Sequence, residues 1–131
     1  ERMTMGHVIV DLEVRGANRG ASLKGLLVDT GATYTVLPRD ILEKVGALGL
    51  PGKIKIELGD GRTQEADVYA TTAEIADREG PAFVITFEGA KPVVGVQTLE
   101  SLGLRVDPMR GVLEPTRPKG VAYFYRASVE C

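Results

Sequence analysis

Three consecutive residues, Asp29-Thr30-Gly31, bring together a carboxylate, a hydroxyl and a residue with no side chain. A carboxylate held on a turn can take and give protons, so the chemistry on offer is general acid–base work. The Thr30 hydroxyl can bond backbone, and Gly31 leaves room for another stretch of backbone to approach. Ala32 keeps that approach open. Thr33 and Thr35 follow, before the extended run Val36-Leu37-Pro38. A bare triplet of this kind also fits a solvent-exposed turn, because Asp and Gly are common turn formers. The elements around it separate the two readings.

Most of those elements read as short strands. Residues 7–14 place Val8, Val10, Leu12 and Val14 on one face with a period of two. Residues 16–20 form a turn cluster, and a second strand over 22–28 completes a hairpin. Its end, Leu26-Leu27-Val28, is a continuous apolar run that predicts a strand buried on both faces and delivering Asp29 to its turn. Pro38 opens a short helix over 40–45 with Gly46 as its stop. Residues 53–58 alternate, with Ile54, Ile56 and Leu58 inward, and Gly59-Asp60-Gly61 turns the chain into a return strand over 65–75. A turn over 77–81 follows, its charges Asp77, Arg78 and Glu79 read as a solvated loop, and then a strand over 82–87. Val93-Val94-Gly95 is a short buried piece, and residues 98–102 form a short helix stopped by Gly103. Residues 105–114 read as strand, turn and strand.

The expected organisation is one domain over 1–115 and a tail over 116–131, with a strand at 121–125. The fold class is mainly β with one or two short helices, in a closed or folded-over sheet.

Composition removes several functions. The chain has 131 residues, 44% apolar and 26% charged, ordinary for one globular domain with a real core. Its one cysteine, Cys131, allows no intrachain disulfide and no Cys-rich zinc site, and its one histidine, His7, builds no histidine-centred metal cluster. No metal and no cofactor are expected. A net charge of −2 and seven aromatic residues, none of them Trp, argue against nucleic-acid binding. No apolar run reaches the length of a membrane span and no signal-peptide pattern opens the sequence, so the expected location is cytoplasmic, away from membranes.

The run Leu27-Val28-Asp29-Thr30-Gly31-Ala32, then Thr35 and Val36-Leu37, resembles the active-site motif of the aspartic proteases. Downstream, Pro92-Val93-Val94-Gly95 and the short helix after it resemble the two-hydrophobe-plus-glycine signature of the retropepsin family. The hairpin around Gly59, Asp60 and Gly61 falls where that family places its flap, the lid over the substrate. The resemblance covers residues 6–115 and implies a retropepsin-like closed β-barrel. Pepsin-like enzymes carry two such motifs, whereas this chain carries one. The resemblance therefore implies a two-fold homodimer with one Asp29 from each subunit, cutting a polypeptide substrate. It makes Asp29 catalytic and gives Thr30, Gly31 and Ala32 the shaping of the turn. Gly59, Asp60, Gly61 and Val93 would meet the substrate, with Ala32 and Val93 lining the pockets nearest the scissile bond.

The sequence departs from the retroviral pattern at one pair. The acidic residue and the arginine that pair beside the turn in those enzymes are replaced by Thr33 and Val96, and Gln97 is left to take a polar role. At the flap tip, Asp60 adds negative charge that Arg62 can offset. A different class of function stays open on these residues: a catalytically silent dimerisation or peptide-binding module that keeps the Asp turn for structure. A processing enzyme restricted to one partner protein is a third.

Overall fold

The computed structural model describes residues 7–124. The molecule is mainly β. Strands β1 (Val8–Arg15) and β2 (Gly20–Val28) form the expected hairpin, in register from Val8↔Val28 to Arg15↔Gly20. Alternation along β1 buries Val8, Val10, Leu12 and Val14 and turns Ile9 and Asp11 outward. The same period governs the end of β2 and corrects the expectation there. Leu26 and Val28 are buried, but Leu27 is 36% exposed and stands opposite Ile9, itself 61% exposed. An apolar run does not by itself bury both faces of a strand; here it leaves an outward apolar pair beside Asp29.

After the Asp29 turn come β3 (Thr35–Val36) and helix α1 (Arg39–Val45). Pro38 supplies an extended N-cap. Gly46, at φ 74°, ends the helix in the left-handed conformation that glycine accepts without strain. Strands β4 (Leu48–Glu57) and β5 (Thr63–Ile75) form a long hairpin, and β6 (Arg78–Thr86) returns along β5. Then follow β7 (Val93–Val94), α2 (Val96–Ser101), β8 (Leu104–Asp107) and β9 (Val112–Pro115), the last two paired in a small sheet of their own.

The main sheet has seven strands in the order β1-β2-β7-β3-β6-β5-β4, and β1 also pairs with β5 through Glu13↔Glu74 to Arg15↔Thr72. β4 has β5 as its one neighbour among the described residues and so presents an outer edge. The main core joins β1, β2, α1, α2 and the far end of β5, with Leu12, Val14, Leu37, Leu42 and Val94 almost fully buried. A second, smaller core of Val36, Ala66 and Ile85 lies beneath the β4–β5 hairpin, flanked by the half-buried Ile54, Ile56, Val68, Phe87 and Val93.

Two further expectations are corrected. The turn expected over 77–81 is two residues long: Ala76 and Asp77 both take positive φ, and Arg78–Thr86 is strand. Pro81 fits inside it because β3 pairs only with Val84 and Ile85, so its ring breaks no ladder on that side. Nor is the charged run a solvated loop throughout. Arg78 is half-buried and Nη1 donates to the carbonyls of Leu102, Gly103 and Arg117, at 3.2, 3.3 and 3.0 Å.

The tail continues this device. Arg117 donates from Nη1 to Glu100 O and from Nη2 to Ser101 O, at 2.9 and 2.7 Å, and the Thr116 N–H bonds Gly103 O at 2.7 Å. Two guanidinium groups thus bind the carbonyls of Glu100, Ser101, Leu102 and Gly103 where α2 ends. Residues 121–124 are exposed and carry no strand. Tyr125, the last residue of the strand expected at 121–125, and Cys131 lie outside the described residues. Among those residues no helix is long and apolar enough to cross a membrane.

Candidate active site

β2 ends at Val28 and releases Asp29 into a tight turn. The Asp29 carboxylate closes that turn on itself: Oδ1 accepts the Gly31 N–H at 2.9 Å, while Asp29 O accepts the Ala32 N–H at 3.0 Å. These bonds fix the direction of the side chain before any ligand arrives. Asp29, Thr30 and Gly31 are exposed and Ala32 is half-buried.

The turn is held from behind by β7 and the start of α2. β7 lies parallel to β2, with Leu27↔Val93 and Val28↔Val94, and antiparallel to β3 through Val36↔Val93. It therefore fills the gap between the two strands that flank the turn. The Asp29 N–H donates to Val94 O, the Val96 N–H to Ala32 O and the Gln97 N–H to Thr33 O, each at 2.9 Å. Contact is so close that a Cβ on Gly95 would sit 2.3 Å from the Tyr34 carbonyl carbon. The Gly95 N–H donates to Thr35 Oγ1 at 3.1 Å, and Thr35 Oγ1 lies 2.6 Å from Thr98 Oγ1 in the buried interior. At the positions of the missing acid–arginine pair, Thr33 and Val96 are held, among the described residues, by backbone bonds alone, Thr33 O accepting the Gln97 N–H, and the side chain of the neighbouring Gln97 accepts the Phe83 N–H at 3.0 Å.

Asp29 opens onto a cleft of about 780 Å³. Gly31 and Ala32 continue its floor, and Ile85, Phe87 and Val93 form an apolar wall. Residues 54–59, from β4 and the first part of its turn, line it as well. Of the predicted site residues, Asp29, Gly31, Ala32, Gly59 and Val93 meet on this one cleft. Thr30 does not line it; with Val96, Gln97 and Glu100 it lines an adjoining hollow of about 380 Å³. Asp60 and Gly61 lie at the hairpin tip, beyond the cleft wall. There Asp60 accepts the Arg62 N–H at 3.0 Å and Arg62 Nε at 2.6 Å, so the expected charge offset is made within the turn. Among the described residues no group of three or more His, Cys, Asp or Glu could hold a metal ion.

Sequence reasoning missed Tyr34, Phe87 and Lys91 on the cleft. It also missed a charged clamp at the base of the β4–β5 hairpin. Asp67, on β5, accepts from Lys53 Nζ on β4 and from Arg39 Nη2 at 2.7 Å, and Arg39 Nη1 donates to Tyr69 Oη at 3.0 Å. The Lys53 and Arg39 donors hold the Asp67 carboxyl below its usual range, and Asp67 in turn raises Arg39. The clamp ties the first residue of α1 to the strands that carry the cleft's outer side. Nothing in the local sequence announces it, since its members come from three elements.

The site is thus a strand-delivered Asp-Thr-Gly turn, backed by a second strand with its glycine, with a long hairpin lining the same cleft. A family model described as aspartyl protease matches residues 10–98, and the chain belongs to that family, which is of the retropepsin-like type. Among curated proteins no sequence matches the chain.

Proposed function

We propose that the protein is an aspartic endopeptidase that acts as a two-fold homodimer, with Asp29 of each subunit forming one catalytic dyad. The observation that carries this reading is the exposed, preoriented Asp29 carboxylate on a cleft that Val36, Ile85, Phe87 and Val93 also line. The reaction needs a base on the water and, at the same time, an acid on the scissile carbonyl oxygen. Among the described residues lining the cleft the other acid is Glu57, carried by the β4–β5 hairpin rather than by a matching turn, and in this reading a second chain supplies a second Asp29. The outward apolar pair Ile9 and Leu27, next to the turn, supports self-association on that side.

Two carboxylates brought together share a proton, because both cannot ionise cheaply. The ionised member removes a proton from the water as its oxygen attacks the scissile carbonyl carbon. The protonated member gives its proton to the carbonyl oxygen. Collapse of the resulting diol breaks the C–N bond, and the amine leaves with a proton from the dyad. In this reading Thr30 steadies the turn against the partner subunit. The β4–β5 hairpin is the flap, with Gly59, Asp60 and Gly61 at its closing end. The outer edge of β4 supports binding of substrate as an added strand. The pairing of β1 with both β2 and β5 supports a closed barrel as the frame.

The test is cleavage of a diverse peptide library from mildly acidic to neutral pH, read by mass spectrometry, with wild type beside Asp29→Asn. Cuts made by wild type and lost in the variant support the reading. A strictly monomeric protein at micromolar and higher concentration, with and without peptide, removes the second carboxylate and overturns it. Peptide binding that survives Asp29→Ala, with no cleavage by wild type, moves the assignment to a silent peptide-binding module.

A further inference from the structure

We propose that Lys91 makes the cleft selective for substrates with an Asp or Glu side chain close to the scissile bond. This rests on the cleft being the peptide site assigned above and adds a substrate class to it. Lys91 lies in the loop between Phe87 and β7 and lines the cleft together with Phe87 and Val93. Its chain neighbours Ala90, Pro92 and Val93 are apolar, so its ammonium group is the charge this loop brings to the cleft. Among the described residues no carboxylate lies within ion-pair distance of Lys91. Glu88 shares its loop but lines no part of the cleft.

The cleft's other charges are placed differently. Lys55 stands across from Glu65 in the β4–β5 ladder and two residues from Glu57, so acids flank it on its own hairpin. Asp29 is reserved for chemistry. Lys91 has no acid across a ladder from it, so of the two cleft lysines it is the one whose field its own neighbours offset least. Its reach follows from the backbone. Val94 O accepts the Asp29 N–H, which sets Val94 level with the turn. Lys91 is three residues earlier, roughly 10 Å along an extended chain. A substrate bound as a strand repeats at roughly 3.4 Å, so the acidic side chain falls within about three residues of the cut.

Attraction between an ammonium and a carboxylate at a partly shielded wall raises selectivity, and salt weakens it. The expected preference is about three- to tenfold in kcat/KM for an Asp-containing peptide over its Asn counterpart. The experiment uses matched peptides with an apolar centre, carrying Asp or Asn at each of three positions on either side. The readout is the Asp-to-Asn ratio, in cleavage by wild type and in binding to Asp29→Asn. It is repeated with Lys91→Met, Lys91→Glu and, as a control for overall charge, Lys44→Met on α1.

A ratio above one at one or both of two positions related by the two-fold axis, abolished by Lys91→Met, inverted by Lys91→Glu and kept by Lys44→Met, supports the proposal. A ratio of one at every position, or a preference indifferent to Lys91, overturns it. If wild type cuts nothing but the Lys91-dependent ratio appears in binding, the peptidase reading fails and the acidic-ligand proposal stands. If no peptide is cut or bound, both fall.

Discussion

Thr35 and Thr98 face each other at 2.6 Å, hydroxyl to hydroxyl, in the interior behind the Asp29 turn. They lie 63 residues apart, and both are almost completely buried. Thr35 does more than Thr98, because its oxygen also takes the Gly95 N–H. The pair joins the strand leaving the turn to the helix behind it.

Thr35→Val leaves both the Thr98 hydroxyl and the Gly95 N–H without a partner in the core. Each unsatisfied buried group costs about 1–3 kcal/mol. Thr98→Val orphans less, because Thr35 keeps its bond to Gly95. Denaturant unfolding should therefore rank Thr35→Val as the more destabilising. The double valine variant should lose less than the sum, since the two hydroxyls no longer strand each other.

Gly95→Ala puts a methyl group against the Tyr34 carbonyl, 2.5 Å from its oxygen. Backbone on both sides must move, and overpacking of this kind costs about 1–3 kcal/mol. The shift also changes the hydrogen bonds to Asp29 and Ala32. Expected outcomes are a lowered melting temperature and, for the protein that still folds, a lower kcat on any peptide cut by wild type.

Acid should weaken the clamp at the hairpin base. The Asp67 carboxyl is held below its usual range by Lys53 first and Arg39 second. A depressed carboxylate contributes stability above its unfolded pKa, about 3.9, and loses it as pH falls through the folded value. The clamp should therefore be intact from mildly acidic pH upward and fail below about pH 4. Asp67→Asn should show a shallower stability loss over that acid range than wild type, by thermal melts at stepped pH. The effect is small, because the side chains are partly open to solvent.

Arg117→Ala removes three bonds to backbone carbonyls, two of them at the end of α2. The expected loss is about 1 kcal/mol. Limited proteolysis gives the sharper readout: cleavage within 117–124 should accelerate well before the domain itself is cut.

How far the sequence could be read follows from where each interaction closes. Alternation along residues 8–14 names the inward face, and Gly46 and Gly103 mark where the two helices stop. The Asp29 turn, Gly95 and the hairpin around Gly59 were legible because each is a local pattern in fixed order. Leu27 was misread because residue type does not say which face of a strand is covered. Arg78 was misread because its partners are carbonyls 24, 25 and 39 residues away, groups that every residue possesses. Lys91 was passed over for a similar reason: a lysine in a loop gains meaning only from the wall it stands on.

The smaller core beneath the hairpin has a consequence for recognition. Val36, Ala66 and Ile85 are buried, yet Ile54, Ile56, Phe87 and Val93 around them are only half covered. It is a core with its last layer missing. In the proposed reading the substrate's own apolar side chains supply that layer, so seating a peptide completes the folding of this half of the molecule. Such an event should carry a negative heat-capacity change. Calorimetry would then register a bound peptide as a borrowed piece of interior, returned to solvent as two shorter fragments once it is cut.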